Sequence, residues 1–229
     1  MAKQRTIKNP VSCSGIGLHT GVDSTITFKP SPENTGIRFI RTDVEGCPKI
    51  KADIEHVVDI SRGTTLAQNG NRIHTVEHVL ATLVGLEIDN ILIEVTNKEP
   101  PVMDGSSKEF VKVLQKAGIV DQKHEREYLE IDKAISYNDP VNKTDISVLP
   151  SDCYRITCII DYKYPWIGTQ YFTIHSIDDF PKEIAPARTF SFLSEVEDLR
   201  EAGLVQGGRL DNAIVILDKE VDKVEIDRL

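Results

Sequence analysis

Residues 74 to 78 read His-Thr-Val-Glu-His, two imidazoles flanking a carboxylate. The stretch 75–86 is amphipathic, and on a helix Val76, Val79, Leu80 and Leu83 share one stripe. At 100° per residue, His74, Glu77, His78 and Ala81 fall on the opposite side. Core packing does not require ionisable groups there. Metal-assisted hydrolysis does: a neutral imidazole holds zinc, and a carboxylate beside it takes a proton from the bound water. Taken literally, His-x-x-Glu-His matches the inverted zincin pattern, with His74 and His78 as ligands and Glu77 as base. So short a pattern also arises by chance, and a helical histidine is more often a surface residue or one satisfied within the fold.

The elements that must position these groups follow from patterning. Residues 24–29 and 36–41 alternate apolar with polar and read as strands, separated by a proline-rich turn. Residues 14–21, Ser-Gly-Ile-Gly-Leu-His-Thr-Gly, lack the spacing of a phosphate-binding loop and imply only tight backbone geometry. A helix over 75–86 stops near Gly85, and 89–95 is a strand too apolar for a wet face. A second helix begins through a capping box, Ser106 to Glu109, and buries Phe110, Val111, Val113 and Leu114. The charged run 121–127 reads as a link between a first domain, 1–122, and a second, 128–229. Beyond it, strands are expected at 128–135, 146–149, 154–162 and 211–217, and a helix around 192–202. Residues 219–229 resemble an interrupted helix. With one clear helix to cover it, the second sheet is expected to expose apolar surface, which implies marginal stability or self-association.

Composition narrows the functional classes. The chain has 229 residues, 40% hydrophobic and 28% charged, with a net charge of −9 that argues against a nucleic-acid surface. A local cluster of cations could still bind an anionic small molecule. No apolar run is long enough to span a bilayer, the start lacks a secretory h-region, and the four cysteines lack metal or disulfide spacing. A cytoplasmic protein with reduced thiols is the expectation. Among lone residues, His19 reads equally as a turn histidine or a site residue, and His56, His124 and His175 as surface. Asp104 reads as structural before a helix start, Tyr162, Tyr164 and Trp166 as packing, and Glu195, Glu197 and Glu201 as a solvated helix face.

Six stretches in order strengthen the zinc reading: Gly15-Ile-Gly-Leu-His-Thr-Gly21, Thr75-Val-Glu-His-Val-Leu80, Gly85-Leu-Glu-Ile-Asp-Asn90, Pro101-Val-Met-Asp-Gly-Ser106, Ala187-Arg-Thr-Phe190 and Gly207-Gly-Arg-Leu-Asp-Asn-Ala213. Together they resemble the UDP-3-O-acyl-N-acetylglucosamine deacetylases, zinc amidases that commit material to lipid A. The resemblance implies an α+β fold of two similar two-layer α/β sandwich domains with the site between them. It implies Glu77 as general base and His78 as a zinc ligand, with His74 only a neighbour. It places Thr189 at the reacting carbonyl, Phe190 at a fatty-acyl passage, Lys143 and Tyr162 at the UDP portion, and His19 at the substrate. In the family the remaining ligands come from a later helix, His-Lys-x-Leu-Asp-x-x-Gly-Asp, which is not found in these 229 residues. The second domain is therefore expected to lack its last helix and strands, the zinc site its full ligand set, and these residues alone to bind zinc weakly and turn over little. Some family members are fused to a hydroxyacyl carrier-protein dehydratase. Two rivals are an HxxEH metallopeptidase using His74 and His78, and a non-catalytic nucleotide- and acyl-binding fragment.

Overall fold

A computed structural model describes residues 2–217. The strands in the first half are β1 (Lys3–Ile7), β2 (Val11–Ile16), β3 (Asp23–Pro30), β4 (Ile37–Arg41), β5 (Lys49–Lys51), β6 (Val57–Asp59), β7 (Thr65–Gln68) and β8 (Asn71–Ile73). Helix α1 (Glu77–Gly85), strand β9 (Ile91–Val95), helix α2 (Lys108–Ala117) and strand β10 (Ile119–Glu125) follow. The second half holds hairpin β11 (Ile135–Asp139) and β12 (Thr144–Val148), and hairpin β13 (Ile156–Asp161) and β14 (Thr169–Ile174). Strand β15 (Phe190–Phe192), helix α3 (Leu193–Glu201) and strand β16 (Ile214–Ile216) close the described chain. The result is a mixed α/β protein with several sheets and few helices.

One sheet organises the first half, in the order β2-β3-β9-β4-β5, with only β4 and β9 parallel. Strand β9 sits inside it, flanked on both edges, and this explains why its sequence is so apolar. Phe28, Phe39, Ile91 and Ile93 from the strands join Val79 and Leu83 of α1 and Phe110 and Leu114 of α2 in one core. Phe28 and Phe110 meet edge-to-face, ring centroids 6.2 Å apart. The alternation read at 24–29 and 36–41 is thus β3 and β4, and both expected helices form.

Several boundaries differ. The capping box does not form. Helix α2 starts at Lys108 with Ser107 as an N-cap whose hydroxyl does not cap the helix, while the Ser106 hydroxyl accepts from the Lys108 N–H at 3.2 Å. The charged run read as a link is largely strand β10, paired antiparallel with β1. Its charges are tolerated because a two-stranded ribbon leaves most of its side chains in water. No strand forms at 128–134. The second half does not repeat the five-stranded sheet: among the described residues its strands pair two by two, β15 and β16 in parallel. All six residues of β13 are exposed, Ile159 by 67%. The expected uncovered apolar surface is therefore present. Both β9 and β16 follow an amphipathic helix and have a parallel neighbour. The expected helix at 219–229 lies outside the described residues. Among those described, no helix is long and apolar enough to cross a membrane.

Arg126 fastens the end of β10 back onto the first half. Its guanidinium donates to Asp89 at 2.8 and 2.9 Å, to the Glu87 carboxylate at 2.5 Å and to the Glu87 carbonyl at 2.7 Å. Arg5 completes the cluster, its N–H on Asp89 at 2.7 Å and its side chain on Glu87 at 3.1 Å. Arg126→Ala should destabilise the chain by about 2 kcal/mol, less than a fully buried pair would cost because Glu87 stays partly in water. Urea denaturation should show this, and an unchanged midpoint would contradict the role.

Candidate active site

Helix α1 begins abruptly. Thr75 takes a positive φ of 55°, so the backbone turns sharply and helical geometry starts only at Glu77. Val76 stands at the N-cap without a side-chain bond, and the Glu77 carboxylate in the first turn complements the helix dipole. The face expected for the core is largely buried: Val76, Val79 and Leu83 are 0–1% exposed, and Leu80 packs against the same core only partly buried. Glu77 and His78 point elsewhere, into a cavity of about 30 Å³ shared with Thr189, Arg62 and Leu18. That is room for about one water.

His74 does not join them. It lies before the turn at Thr75, its N–H donates to the Lys98 carbonyl at 2.8 Å, and its Nδ1 is 3.0 Å from the Thr65 hydroxyl. It lines a different, larger cavity of about 390 Å³ together with His19, Thr20 and Lys98. The one-face arrangement read from periodicity is therefore wrong at its first member, because the helix does not reach back to it. The inverted zincin geometry and the metallopeptidase rival fall with it.

Burial lowers the His78 imidazole below its ordinary value, against a weaker opposing pull from Glu77 and Asp104. Burial does the same to His74, helped by the Lys98 charge. A neutral imidazole is the form that ligates a metal. His78 is also fixed through its backbone: its carbonyl accepts from Thr82 at 2.7 Å and from the Ser107 hydroxyl at 3.0 Å. The Glu77 carboxylate accepts the Thr64 N–H at 2.8 Å. Among the described residues no three His, Cys, Asp or Glu side chains come together to hold a metal ion. His78 offers a single donor, and the described residues do not amount to a zinc centre.

Sequence reading missed the residue that organises this region. Glu99 is fully buried, and its carboxylate accepts four donors: the N–H of His19 at 3.0 Å, the N–H and hydroxyl of Thr20 at 2.9 and 2.8 Å, and the hydroxyl of Thr75 at 2.9 Å. A Cβ at Gly17 would collide with that carboxylate, and this is what the glycine-rich loop is for. A lone glutamate before two prolines carries no local signal of such a role. The shaped loop then receives the second half by backbone contact: Gly207 N–H donates to the Leu18 carbonyl and Gln206 N–H to that of His19. Nearby, Thr189 N–H donates to the Gly105 carbonyl and Ser107 N–H to that of Ala185. Segments far apart in sequence thus converge on one cleft.

Comparison with known proteins gives the family. Residues 4–226 match the family model described as LpxC, UDP-3-O-acyl N-acetylglycosamine deacetylase. The chain belongs to this family. It is 50% identical over 227 residues to a bifunctional enzyme LpxC/FabZ of Chlorobaculum tepidum, covering 99% of this chain and 49% of that protein. A protein of the same description from Bacteroides thetaiotaomicron is 40% identical over 229 residues, covering 50% of its length. A UDP-3-O-acyl-N-acetylglucosamine deacetylase of Myxococcus xanthus is 44% identical over 214 residues, 93% of this chain and 68% of that one. The chain spans about half the length of the first two.

The residues that the LpxC resemblance singled out are distributed as follows. Glu77, His78 and Thr189 share the small cavity. Phe190 lines an adjoining apolar cavity of about 150 Å³ with Val196, Ile214 and Val215, and Leu18 and Thr189 border both spaces. Tyr162 packs its ring against Phe190 and Phe192, at 6.2 and 6.1 Å. His19 lines the larger cavity, but its ring is already engaged: Nδ1 accepts the Val205 N–H at 3.3 Å, so Nε2 carries the proton donated to the Arg62 carbonyl at 3.1 Å. Lys143 stands apart in the turn between β11 and β12, at φ 53°, and lines none of these cavities. Asp104 is structural as read, accepting the N–H and hydroxyl of Ser106 at 3.1 and 2.7 Å. Glu195 is not a free member of a solvated face, because Arg62 binds it at 3.0 Å.

Two outcomes test this description. Glu99→Gln leaves buried donors facing an amide nitrogen and should cost about 3 kcal/mol of stability while exposing the 17–21 loop to protease; a wild-type urea midpoint would contradict the hub. Burial lowers both His74 and His78 below the ordinary value of 6.5, so on acidification the unfolded chain takes up protons more readily than the folded one. Their contribution is full above that pH and declines on acidification. The urea midpoint should drop between about pH 7.5 and 5.5 and His74→Gln should flatten the fall; a midpoint that climbs instead refutes the assignment.

Proposed function

We propose that this chain carries the substrate-facing portion of an amidase that hydrolyses the N-acetyl group of a UDP-3-O-acyl-N-acetylglucosamine, the committing step of lipid A synthesis in the cytoplasm. The observation that carries this is spatial: Glu77, His78 and Thr189 line one small cavity, and Thr189 and Leu18 also line the apolar one beside it. An acyl chain beside Phe190 would bring the head of its sugar to Glu77. Two sandwich domains flanking this cleft remain part of the proposal.

Glu77, held by the Thr64 N–H, takes a proton from a water that adds to the acetamide carbonyl. The Thr189 hydroxyl donates to the oxyanion that develops. Proton return to nitrogen and cleavage of the C–N bond release acetate and the glucosamine amine, so one water and one amide are consumed. His78, buried and neutral, stands ready as one ligand to Zn²⁺, which when bound would polarise the carbonyl and acidify the water. The other ligands are not supplied by the described residues, so the chain alone is expected to bind the acylated sugar and turn it over little. Uncovered strands such as β13 would favour self-association.

Calorimetry with UDP-3-O-acylglucosamine tests the reading. Binding is expected to weaken about tenfold in Phe190→Ala, the loss of one buried aromatic contact. Metal analysis should find well under one zinc per chain. No affinity for the acylated sugar would overturn the substrate assignment, and tight stoichiometric zinc would overturn the view of His78 as a lone donor.

A further inference from the structure

Arg62 is a cation at the lip of the Glu77–His78 cavity, and its guanidinium makes a two-point bridge to Glu195 of α3 at 3.2 and 3.0 Å. The two side chains are 50% and 36% exposed. Water and salt compete with such a pair, so it is readily exchanged. The Arg62 backbone, by contrast, is fixed. Its φ is 59°, its carbonyl receives the His19 Nε2 proton at 3.1 Å, and two residues on the Thr64 N–H holds Glu77. The guanidinium therefore extends from a fixed backbone beside the reacting groups.

Its partner is set in a place suited to a nucleotide. Glu195 lies by Phe192, whose ring is 4.5 Å from Tyr164 and 6.1 Å from Tyr162. Arg62 hydrogen bonds, and more weakly the Lys163 charge, hold the Glu195 carboxyl below the usual carboxylate range. Lys163, its ammonium 5.1 Å from the Tyr164 ring centroid, adds a second positive charge to this neighbourhood. A half-exposed guanidinium, with clustered aromatic rings beside its partner Glu195, offers a fork for phosphate oxygens and faces for a base. On a chain of net charge −9, a multiply charged ligand needs such a local cation.

We propose that Arg62 is the anchor for the diphosphate of a nucleoside-diphosphate-linked substrate, exchanging Glu195 for phosphate oxygens as the substrate enters. This rests on the deacetylase reading and adds a residue that the family resemblance does not supply. The diphosphate carries more charge than one carboxylate, so exchange favours the ligand.

The test is calorimetry of the whole chain with UDP and, separately, with inorganic pyrophosphate. Arg62→Gln should weaken both by about tenfold, the value of one charged contact near water. Glu195→Gln, which removes the competitor, should bind both as tightly as wild type or more so. UDP affinity unchanged in Arg62→Gln refutes the anchor and leaves the substrate reading standing. Equal weakening in both variants shows the bridge to be a structural strut and refutes the exchange. Arg62-dependent pyrophosphate binding without UDP binding supports the anchor and sinks the uridine assignment. A wild-type chain that binds neither anion sinks both.

Discussion

A carboxylate without water must be satisfied by its surroundings, and the Glu99 side chain is that constraint here. It is fully buried and survives as an acceptor because two backbone N–H groups and two hydroxyls converge on it. Those donors come from the 17–20 loop and from Thr75, the residue whose positive φ starts α1. One buried anion thus fixes both the loop that takes the second half of the chain and the turn that aims Glu77 and His78. At Thr75 the positive φ is a locally unfavourable conformation, and the hydroxyl bond to Glu99 helps to hold it.

From that anchor the site assembles mainly by backbone contact. The 17–21 loop accepts Gln206 and Gly207, and the 103–107 loop accepts Thr189 and donates to Ala185. Such bonds fix position without demanding particular side chains, leaving Thr189, Phe190 and Leu18 to shape the cavities. The polar chemistry sits in a space for about one water and the apolar space lies beside it. This division suits an amphiphilic ligand whose reacting bond must meet a positioned water while its tail stays dry. Rigidity is uneven. The first half has the shared core, whereas the hairpins β11–β12 and β13–β14 expose most of their side chains.

Much of the fold could be read from local pattern. Alternation marked β3 and β4, helical periodicity marked the buried stripe of α1, and an unbroken apolar run marked the interior strand β9. Reading failed where the deciding contact was distant. His74 fits helical spacing with His78, yet its backbone is bound by Lys98 and the helix begins later. The 121–127 run looked like a link because its charges are real, but β1 was there to pair with it. Glu195 looked solvated because Arg62 is 133 residues away. His19 was open between turn and site, and its ring proves committed to Val205 and Arg62.

The amino-acid order alone determined the family, the Glu77–His78 pair and the face of α1 turned from the core, since these depend on neighbours within a turn or on ordered short motifs. Which side chains share a cavity was decided only by the tertiary structure. Glu99 gathers the loop, Thr189 reaches Glu77 from the far half, and His74 is diverted to another pocket. The physical reason is range: helical and strand periodicities arise from contacts a few residues apart, whereas a buried charge or a cavity wall is satisfied by whatever groups the folded chain brings within hydrogen-bonding distance.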